Sequence, residues 1–324
     1  MNKRGEKGNS QSGVVKRADG TIVYRKIFLA GRQYEFCNEY LCSRFLYTLD
    51  KNITAKIISI DYLHRHIDYE VCSTADNDST GNFEYVELVR RVHRLTTING
   101  YCKVKINASQ PMVRLDQFLL TMGNRIHILD QVKDRYIGYT EEMKDICCRI
   151  REEYEKIIRQ LSGEKLTTGL CFSQADSGMH NCVRGLTGGL LLADLEYAGR
   201  DSPLKQCMDY LLHPKCQSDI SAHEEWWSYF ENEIIDICDR RLMKHIGCAL
   251  CLKWSIIMLN EFLPDVWKRR ITADESRISK REVILTRQLR KARIYLAACD
   301  KLRGGSEHYG LFEKGERDIL SCPY

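Results

Sequence analysis

From about residue 83 onward this chain reads as one helix after another, and a single segment, residues 169 to 197, breaks the pattern. There a strand-like run, Gly169 to Phe172, opens into the polar loop Ser173-Gln174-Ala175-Asp176-Ser177-Gly178-Met179-His180-Asn181. A glycine-bearing hairpin, Val183 to Leu192 with Gly185, Gly188 and Gly189, follows, and the apolar run Leu190 to Ala193 ends at Asp194-Leu195-Glu196. Loops held by a rigid scaffold are where chemistry usually sits. An Asp, an Asn five residues later and a second Asp thirteen beyond that is a spacing with a chemical use. One carboxylate can lie beside an acceptor hydroxyl while a carboxamide and another carboxylate offer oxygen ligands to Mg²⁺ against phosphates. Singly, Asp176 and Asn181 are ordinary turn residues and Asp194 a strand-end cap. In this order, with these flanking runs, they favour phosphoryl-transfer chemistry.

The first third of the chain has a different texture. Val14 to Arg17 and Ile22 to Phe28 are β-prone runs around Asp19-Gly20, a pair suited to a positive-φ hairpin turn. Arg32 to about Leu49 turns helical, with Tyr34, Cys37, Tyr40, Leu41 and Phe45 as the expected apolar stripe. Ile53 to Ile60 and His66 to Cys72 predict strands, and the polar stretch Ser73 to Asn82 predicts a linker. The expected organisation is therefore a sheet lobe over residues 1–72 and a larger helical lobe over 73–324. In the larger lobe Thr140-Glu141-Glu142 opens a helix to about Leu161, and Ser221 to Glu224 and Thr272 to Glu275 predict capping boxes.

Composition removes other classes. Hydrophobic residues make up 44% and charged residues 29% of the 324, which is ordinary for a soluble globular chain. A net charge of +5 spread over this length gives no reason to expect nucleic acid. No run approaches a membrane span and the start has no apolar signal core, so a cytoplasmic protein is expected. The fifteen cysteines are scattered and read as reduced core thiols. Cys248 and Cys251, with Cys238 and His245 nearby, could suggest zinc, but apolar neighbours favour a buried helix. The basic stretch Arg277 to Arg293 reads as a solvated amphipathic face, and Trp226-Trp227 as helix packing.

Ser173 to Asn181, Leu192 to Pro203 and Asp209-Tyr210-Leu211-Leu212-His213-Pro214 resemble the bacterial aminoglycoside phosphotransferase-like family. That family belongs to the protein-kinase-like small-molecule kinases, which include choline kinases. The resemblance is specific over about residues 169 to 214 and looser from 8 to 131. It implies an α+β, protein-kinase-like fold: a small N-terminal β-sheet lobe with one helix, and a large, mostly helical C-terminal lobe. Asp176 corresponds to the catalytic-loop Asp, Asn181 to its metal-binding Asn, and Asp194 to the first Asp of the Asp-Phe-Gly motif. Gln174 stands where the family's loop carries His, and Glu196 where the metal motif carries Gly; Glu196 is open between metal ligand and turn cap.

By the same resemblance Lys26, on the second strand of the hairpin, pairs with donor phosphates, and Glu39 orients it. Arg25 points to the opposite face, and Glu35 is the fallback for Glu39. Gly8 to Gly13, with Gly8 and Gly13 at its ends, lies where a phosphate-covering loop belongs; a flexible tail is the other reading of that composition. Glu70-Val71-Cys72 is the candidate adenine hinge. The implied activity is Mg²⁺-dependent transfer of the γ-phosphoryl of ATP or GTP to a hydroxyl of a small molecule such as an aminoglycoside, sugar or amino alcohol. A nucleotide-binding pseudokinase acting as an interaction protein is the alternative. The expected partners are nucleotide and a small hydroxylated substrate, with no nucleic acid, membrane or protein partner readable.

Overall fold

The computed structural model describes residues 5–7, 10–75, 79–98, 101–133 and 139–322. The chain divides into two compact units, residues 1–109 with 171–200 and residues 110–170 with 201–324. The first unit is built on an antiparallel sheet of five strands in the order β1-β2-β3-β5-β4. These are β1 (Gly5–Lys7), β2 (Ser10–Lys16), β3 (Ile22–Phe28), β4 (Ile57–Asp61) and β5 (His66–Tyr69). Asp19-Gly20 closes the β2–β3 hairpin as the sequence predicts. Gly20 has a φ of +87°, and the Arg17 N–H donates to the Thr21 carbonyl at 2.9 Å. In this register Ser12, Val14 and Lys16 lie opposite Lys26, Tyr24 and Ile22, so all six share one face.

Helix α1 (Gln33–Leu49) follows, and its buried face matches the predicted one only in part: Cys37 and Tyr40 pack against the apolar cluster. Phe36, Asn38, Glu39, Cys42, Ser43 and Leu46 are buried, whereas Tyr34 and Leu41 are 58% and 46% exposed. The face is shifted because α1 buries polar groups that work for the site, and an apolar-stripe rule passes over them. Strand β6 (Ser73–Thr74) and helix α2 (Ser79–Thr96) replace most of the expected linker. The hairpin β7 (Thr97–Ile98) and β8 (Tyr101–Cys102) comes next. The remaining strands of this unit come from the second stretch of chain: β9 (Cys171–Ser173), β10 (Cys182–Arg184), β11 (Leu190–Leu192) and β12 (Gly199–Asp201).

The compact units do not follow a division at 1–72 and 73–324. Strand β6 pairs with β10, Val183 opposite Thr74. The Leu192 N–H donates to the Ile53 carbonyl at 2.7 Å, and Leu191 joins Phe28, Phe36, Ala55, Ile67 and Tyr69 in one apolar cluster. Burying that cluster removes residues 171–200 from the helical body and fastens them to the sheet.

The second unit is helical: α3 (Leu115–Val132), α4 (Thr140–Leu161), α5 (Pro203–Leu212), α6 (His223–Tyr229), α7 (Ile237–Arg240), α8 (Met243–Met258), α9 (Pro264–Ala273), α10 (Arg281–Arg303) and α11 (Lys314–Ser321). Every residue of α5 is buried. Its charges are matched inside: Lys205 Nζ lies 2.6 Å from Asp201 and 2.8 Å from Asp209, and Lys253 Nζ lies 2.7 Å from Asp209. Cys248 and Cys251 are fully buried on α8, the core role expected of them. Trp226 packs 4.3 Å from the Tyr210 ring. Neither predicted capping box forms. Ala222 precedes α6 without a side-chain cap, and Asp274 caps the following short turn by accepting from the Ser276 N–H. No single helix among the described residues is long and apolar enough to cross a membrane.

Candidate active site

Lys26 lies on the α1-covered face of β3, and its ammonium meets three carboxylates. Nζ is 2.5 Å from Asp194 Oδ1, 3.0 Å from Glu196 Oε2 and 3.2 Å from Glu39 Oε2. Burial by itself would push the Lys26 pKa down; Asp194, Glu39 and Glu196 outweigh it and hold the group well above its ordinary value. Glu39 is raised, first by burial and then by the neighbouring Asp194 and Glu196, against the pull of Lys26. Its other oxygen accepts from the Tyr69 hydroxyl at 2.9 Å. Arg25, one residue along and therefore on the other face, binds Asp68 through two hydrogen bonds of 2.7 and 2.9 Å. Glu35 pairs with Arg32 at 2.5 Å. Of the paired alternatives, Lys26 and Glu39 are the ones that meet, and Lys26 also reaches Asp194.

Asp176 and Asn181 occupy the loop after β9. The Asn181 Nδ2 donates to the Asp176 carbonyl at 2.8 Å and to its Oδ2 at 2.9 Å. His180 Nε2 stands 3.5 Å from Asp176 Oδ1, on the short turn that carries Asn181. The Ala193 N–H donates to the Asn181 carbonyl at 2.9 Å, so Asn181 and Asp194 are joined through a single main-chain bond. Two non-glycine residues flank this arrangement in the left-handed region: Ala175 at φ 65° and Asp194 at φ 57°. Such conformations cost of order 1–3 kcal/mol and gather at working sites.

Two buried carboxamides hold these loops, and sequence reading passed over both. Gln174, 2% exposed, donates to the Asn181 carbonyl at 3.0 Å and to the Ala193 carbonyl at 2.8 Å, while its oxygen accepts from the Tyr85 hydroxyl at 3.2 Å. The residue that looked like a departure from the family loop is therefore the clip between its two halves. Asn38, beside Glu39 on α1, donates through Nδ2 toward the carbonyls of Leu195, Glu196 and Ala198 at 3.3, 3.0 and 2.8 Å. An Asn in mid-helix competes with the helix for hydrogen bonds, and that was the available signal.

The glycine stretch is a correction. Gly13 lies within β2, opposite Arg25, because Ser10–Lys16 pairs with β3 along its whole length. Gly8 lies outside the described residues. Glu70, at the candidate hinge, is tied to Lys56: each backbone N–H donates to the other residue, to the Lys56 carbonyl and to the Glu70 carboxylate.

The charges and donors suit a divalent cation. Three carboxylates meet at one ammonium, and their oxygens are hard donors of the type Mg²⁺ takes. With its Nδ2 turned to Asp176, Asn181 keeps its carboxamide oxygen as an acceptor.

No protein-family model matches the chain, and no curated protein matches it by sequence. Solved structures do. The choline kinase LicA from Streptococcus pneumoniae aligns over 91% of both chains with a TM-score of 0.53 at 12% identity. The fold is that of choline kinases and aminoglycoside phosphotransferases. An ethanolamine kinase from Plasmodium vivax covers 84% of this chain and 80% of its own, with a TM-score of 0.52 at 12% identity. A variant of the aminoglycoside phosphotransferase APH(4)-Ia, solved as a ternary complex with AMP-PNP and hygromycin B, covers 94% and 93%, with a TM-score of 0.55 at 11% identity. At these identities the likeness to these kinases is one of fold. The α+β organisation, a small antiparallel sheet followed by a large helical part, is the one the sequence resemblance implied.

Proposed function

We propose that this chain transfers the γ-phosphoryl group of ATP or GTP to a hydroxyl of a small molecule. The observation that carries the reading is the meeting of Lys26 with Glu39, Asp194 and Glu196 beside the loop of Asp176 and Asn181. Lys26 is the group for the donor phosphates, held in place by Glu39. Asn181 and Asp194 would hold Mg²⁺, with Glu196 as a further oxygen donor. Bound there, the ion would neutralise charge on the donor phosphates. Asp176 stands to orient the acceptor hydroxyl and take its proton, with His180 at its other oxygen. Val14 and Tyr24, cross-strand partners on the Lys26 face and each 38% exposed, offer an apolar surface for the nucleobase two residues from Lys26.

The test is thermal unfolding with and without Mg²⁺-ATP, followed by a transfer assay over hydroxylated acceptors. At one hundred times its Kd a ligand adds about 2.7 kcal/mol to the state it binds. The midpoint should rise with Mg²⁺-ATP or Mg²⁺-GTP in the native chain and in Asp176→Asn, and not in Asp194→Asn. Transfer should vanish in both variants. Nucleotide binding that survives Asp194→Asn, or turnover that survives Asp176→Asn, would overturn these roles. Binding without transfer to any acceptor would favour the pseudokinase.

A further inference from the structure

The basic stretch Arg277 to Arg293, which runs into α10, reads in the sequence as a solvated face, and most of its cations are accounted for. Arg277 lies 2.7 Å from Glu261, Arg293 lies 2.7 Å from Glu142, and Arg281 sits 5.2 Å from the centre of the Trp267 ring. Lys280 and Arg290 are exposed to solvent. Arg287 and Lys291 fit neither description. Lys291 is 5% exposed and Arg287 is half-buried, and a separation of four residues places them one above the other on the same side of the helix.

Neither cation meets a carboxylate among the described residues. The Lys291 Nζ donates to the Cys322 carbonyl at 2.8 Å, which leaves two of its three N–H groups for other acceptors. Arg287 Nη1 is shielded from solvent and has no hydrogen-bond partner among the described residues. The carboxamide of Gln288, 7% exposed and three residues before Lys291, makes no hydrogen bond among them either. Glu282, the acidic residue nearest to Arg287 in sequence, lies about 140° round the helix from it. Burial pushes the Lys291 ammonium down to about 8; Cys322 opposes that change and Arg287 adds to it. Like charges at this spacing destabilise a helix, and a shielded charge without a counterion is costlier than an exposed one. Elsewhere the protein matches such groups: Lys26, Lys205, Lys253 and Arg303 each meet at least one carboxylate.

We propose that Arg287 and Lys291, with Gln288 beside them, form a binding site for the phosphate group of a phosphomonoester. A guanidinium offers a phosphate two parallel donors, and an ammonium adds a point charge. Two cations balance the charge of about −1.5 to −2 that a phosphomonoester carries at pH 7. A single carboxylate would leave one of them unmatched. All the residues belong to the second unit, and none has a part in the proposed transfer, so the site does not depend on the phosphoryl-transfer reading.

The experiment is calorimetric titration of the full chain, without nucleotide or Mg²⁺, using inorganic phosphate and sulfate as separate probes at constant ionic strength. Phosphate should bind saturably at one site, and Arg287→Gln and Lys291→Gln should each weaken it at least tenfold. Arg287→Lys, which keeps the charge but not the paired donors, should fall between. Arg287→Gln should unfold no earlier than the native chain in chloride, because it relieves repulsion, and earlier than the native chain in phosphate. Sulfate keeps its own charge near pH 8. Proton uptake on sulfate binding at that pH, read in two buffers of different ionisation heat, should therefore come from Lys291 and be missing in Lys291→Gln. No saturable heat with phosphate, or equal affinity in the Gln variants, would overturn the proposal. Vesicles of phosphatidylcholine with and without phosphatidic acid separate the sources of the phosphate. Retention that needs phosphatidic acid and is lost in both Gln variants would assign it to a lipid headgroup. A native chain that binds phosphate but stays off both vesicles would assign it to a soluble phosphomonoester. The anion site stands in both cases.

Discussion

Lys26 faces three carboxylates at 2.5 to 3.2 Å, and the imbalance is the property most open to test at the scale of single residues. Lys26→Met removes the ammonium that meets all three. Breaking a buried pair by deleting one partner costs about 3–5 kcal/mol, since the remaining charges are left uncompensated. The variant should therefore unfold at lower temperature, and Mg²⁺ alone should raise its midpoint by more than it raises that of the native chain. Equal shifts in the two proteins would separate these carboxylates from metal binding. Gln174→Leu keeps the volume of the side chain but removes two donors from buried carbonyls at Asn181 and Ala193. The Asn181 carbonyl keeps the Ala193 N–H as donor, and a buried carbonyl left without one costs about 1–3 kcal/mol. Urea unfolding should show that loss, and the Mg²⁺ concentration for half-maximal transfer should rise severalfold as Asn181 and Asp194 lose their clip. A stability loss with an unchanged Mg²⁺ requirement would make Gln174 a purely structural residue. Neither role was legible beforehand: Asp176, Asn181 and Asp194 stand out by spacing, but Gln174 and Asn38 act on main-chain carbonyls, which no side-chain motif records.

At the scale of elements, α1 and β12 carry the lesson. The helix was readable as a helix from its three- and four-residue steps, yet only part of the predicted stripe turns inward: Cys37 and Tyr40 do, Tyr34 and Leu41 do not. Apolar periodicity reports the face that packs on hydrocarbon, and this helix turns Asn38 and Glu39 inward to hold the loop from Asp194 to Ala198. At β12 the backbone of Gly199 passes against residues 106–108. Arg200 and Ile106 are joined N–H to carbonyl at 2.8 Å, and a Cβ on Gly199 would come within 2.5 Å of the Ala108 nitrogen and the Asn107 carbonyl carbon. The obstacle is main chain and cannot rotate away. Gly199→Ala should destabilise the protein by about 1–3 kcal/mol, the usual cost of overpacking, read as a lower urea midpoint. The Ser109 N–H donates to the Tyr197 carbonyl, three residues from Asp194, so the same strain should also slow transfer. An unchanged urea midpoint would show that the close approach is not kept in solution.

For the whole molecule, the fifteen cysteines set the response to alkali. Burial pushes the thiols of Cys42 and Cys248 up to about 12, and raises Cys182, Cys207 and Cys251 as well. In the unfolded chain thiols ionise near pH 8.5, so above that pH the unfolded state binds fewer protons than the folded one. Stability then falls as pH rises. Lys253 and Lys291, pushed by burial down to about 8, act in the opposite sense between about pH 8 and 10.5. Five thiols against two amines make the net slope negative. Under reducing conditions the unfolding midpoint should drop between pH 8.5 and 10.5, and a flat or rising profile would contradict the buried, reduced state of these thiols.

What the sequence determined by itself was the order of elements and the chemistry that local spacing can hold. The β2–β3 hairpin followed from Asp19-Gly20, the helical body from its repeat, and the Asp176–Asn181–Asp194 set from its loops, because in each case the cause lies within a few residues. Tertiary structure decided which side chains meet across long separations. Of the two strand faces, that of Lys26 is the one Asp194 lies against, and Glu196 reaches the same ammonium. The packing of residues 171–200 on the sheet has the same origin. Non-local contacts of this kind depend on where burial brings the chain back upon itself, and a one-dimensional pattern does not carry that information.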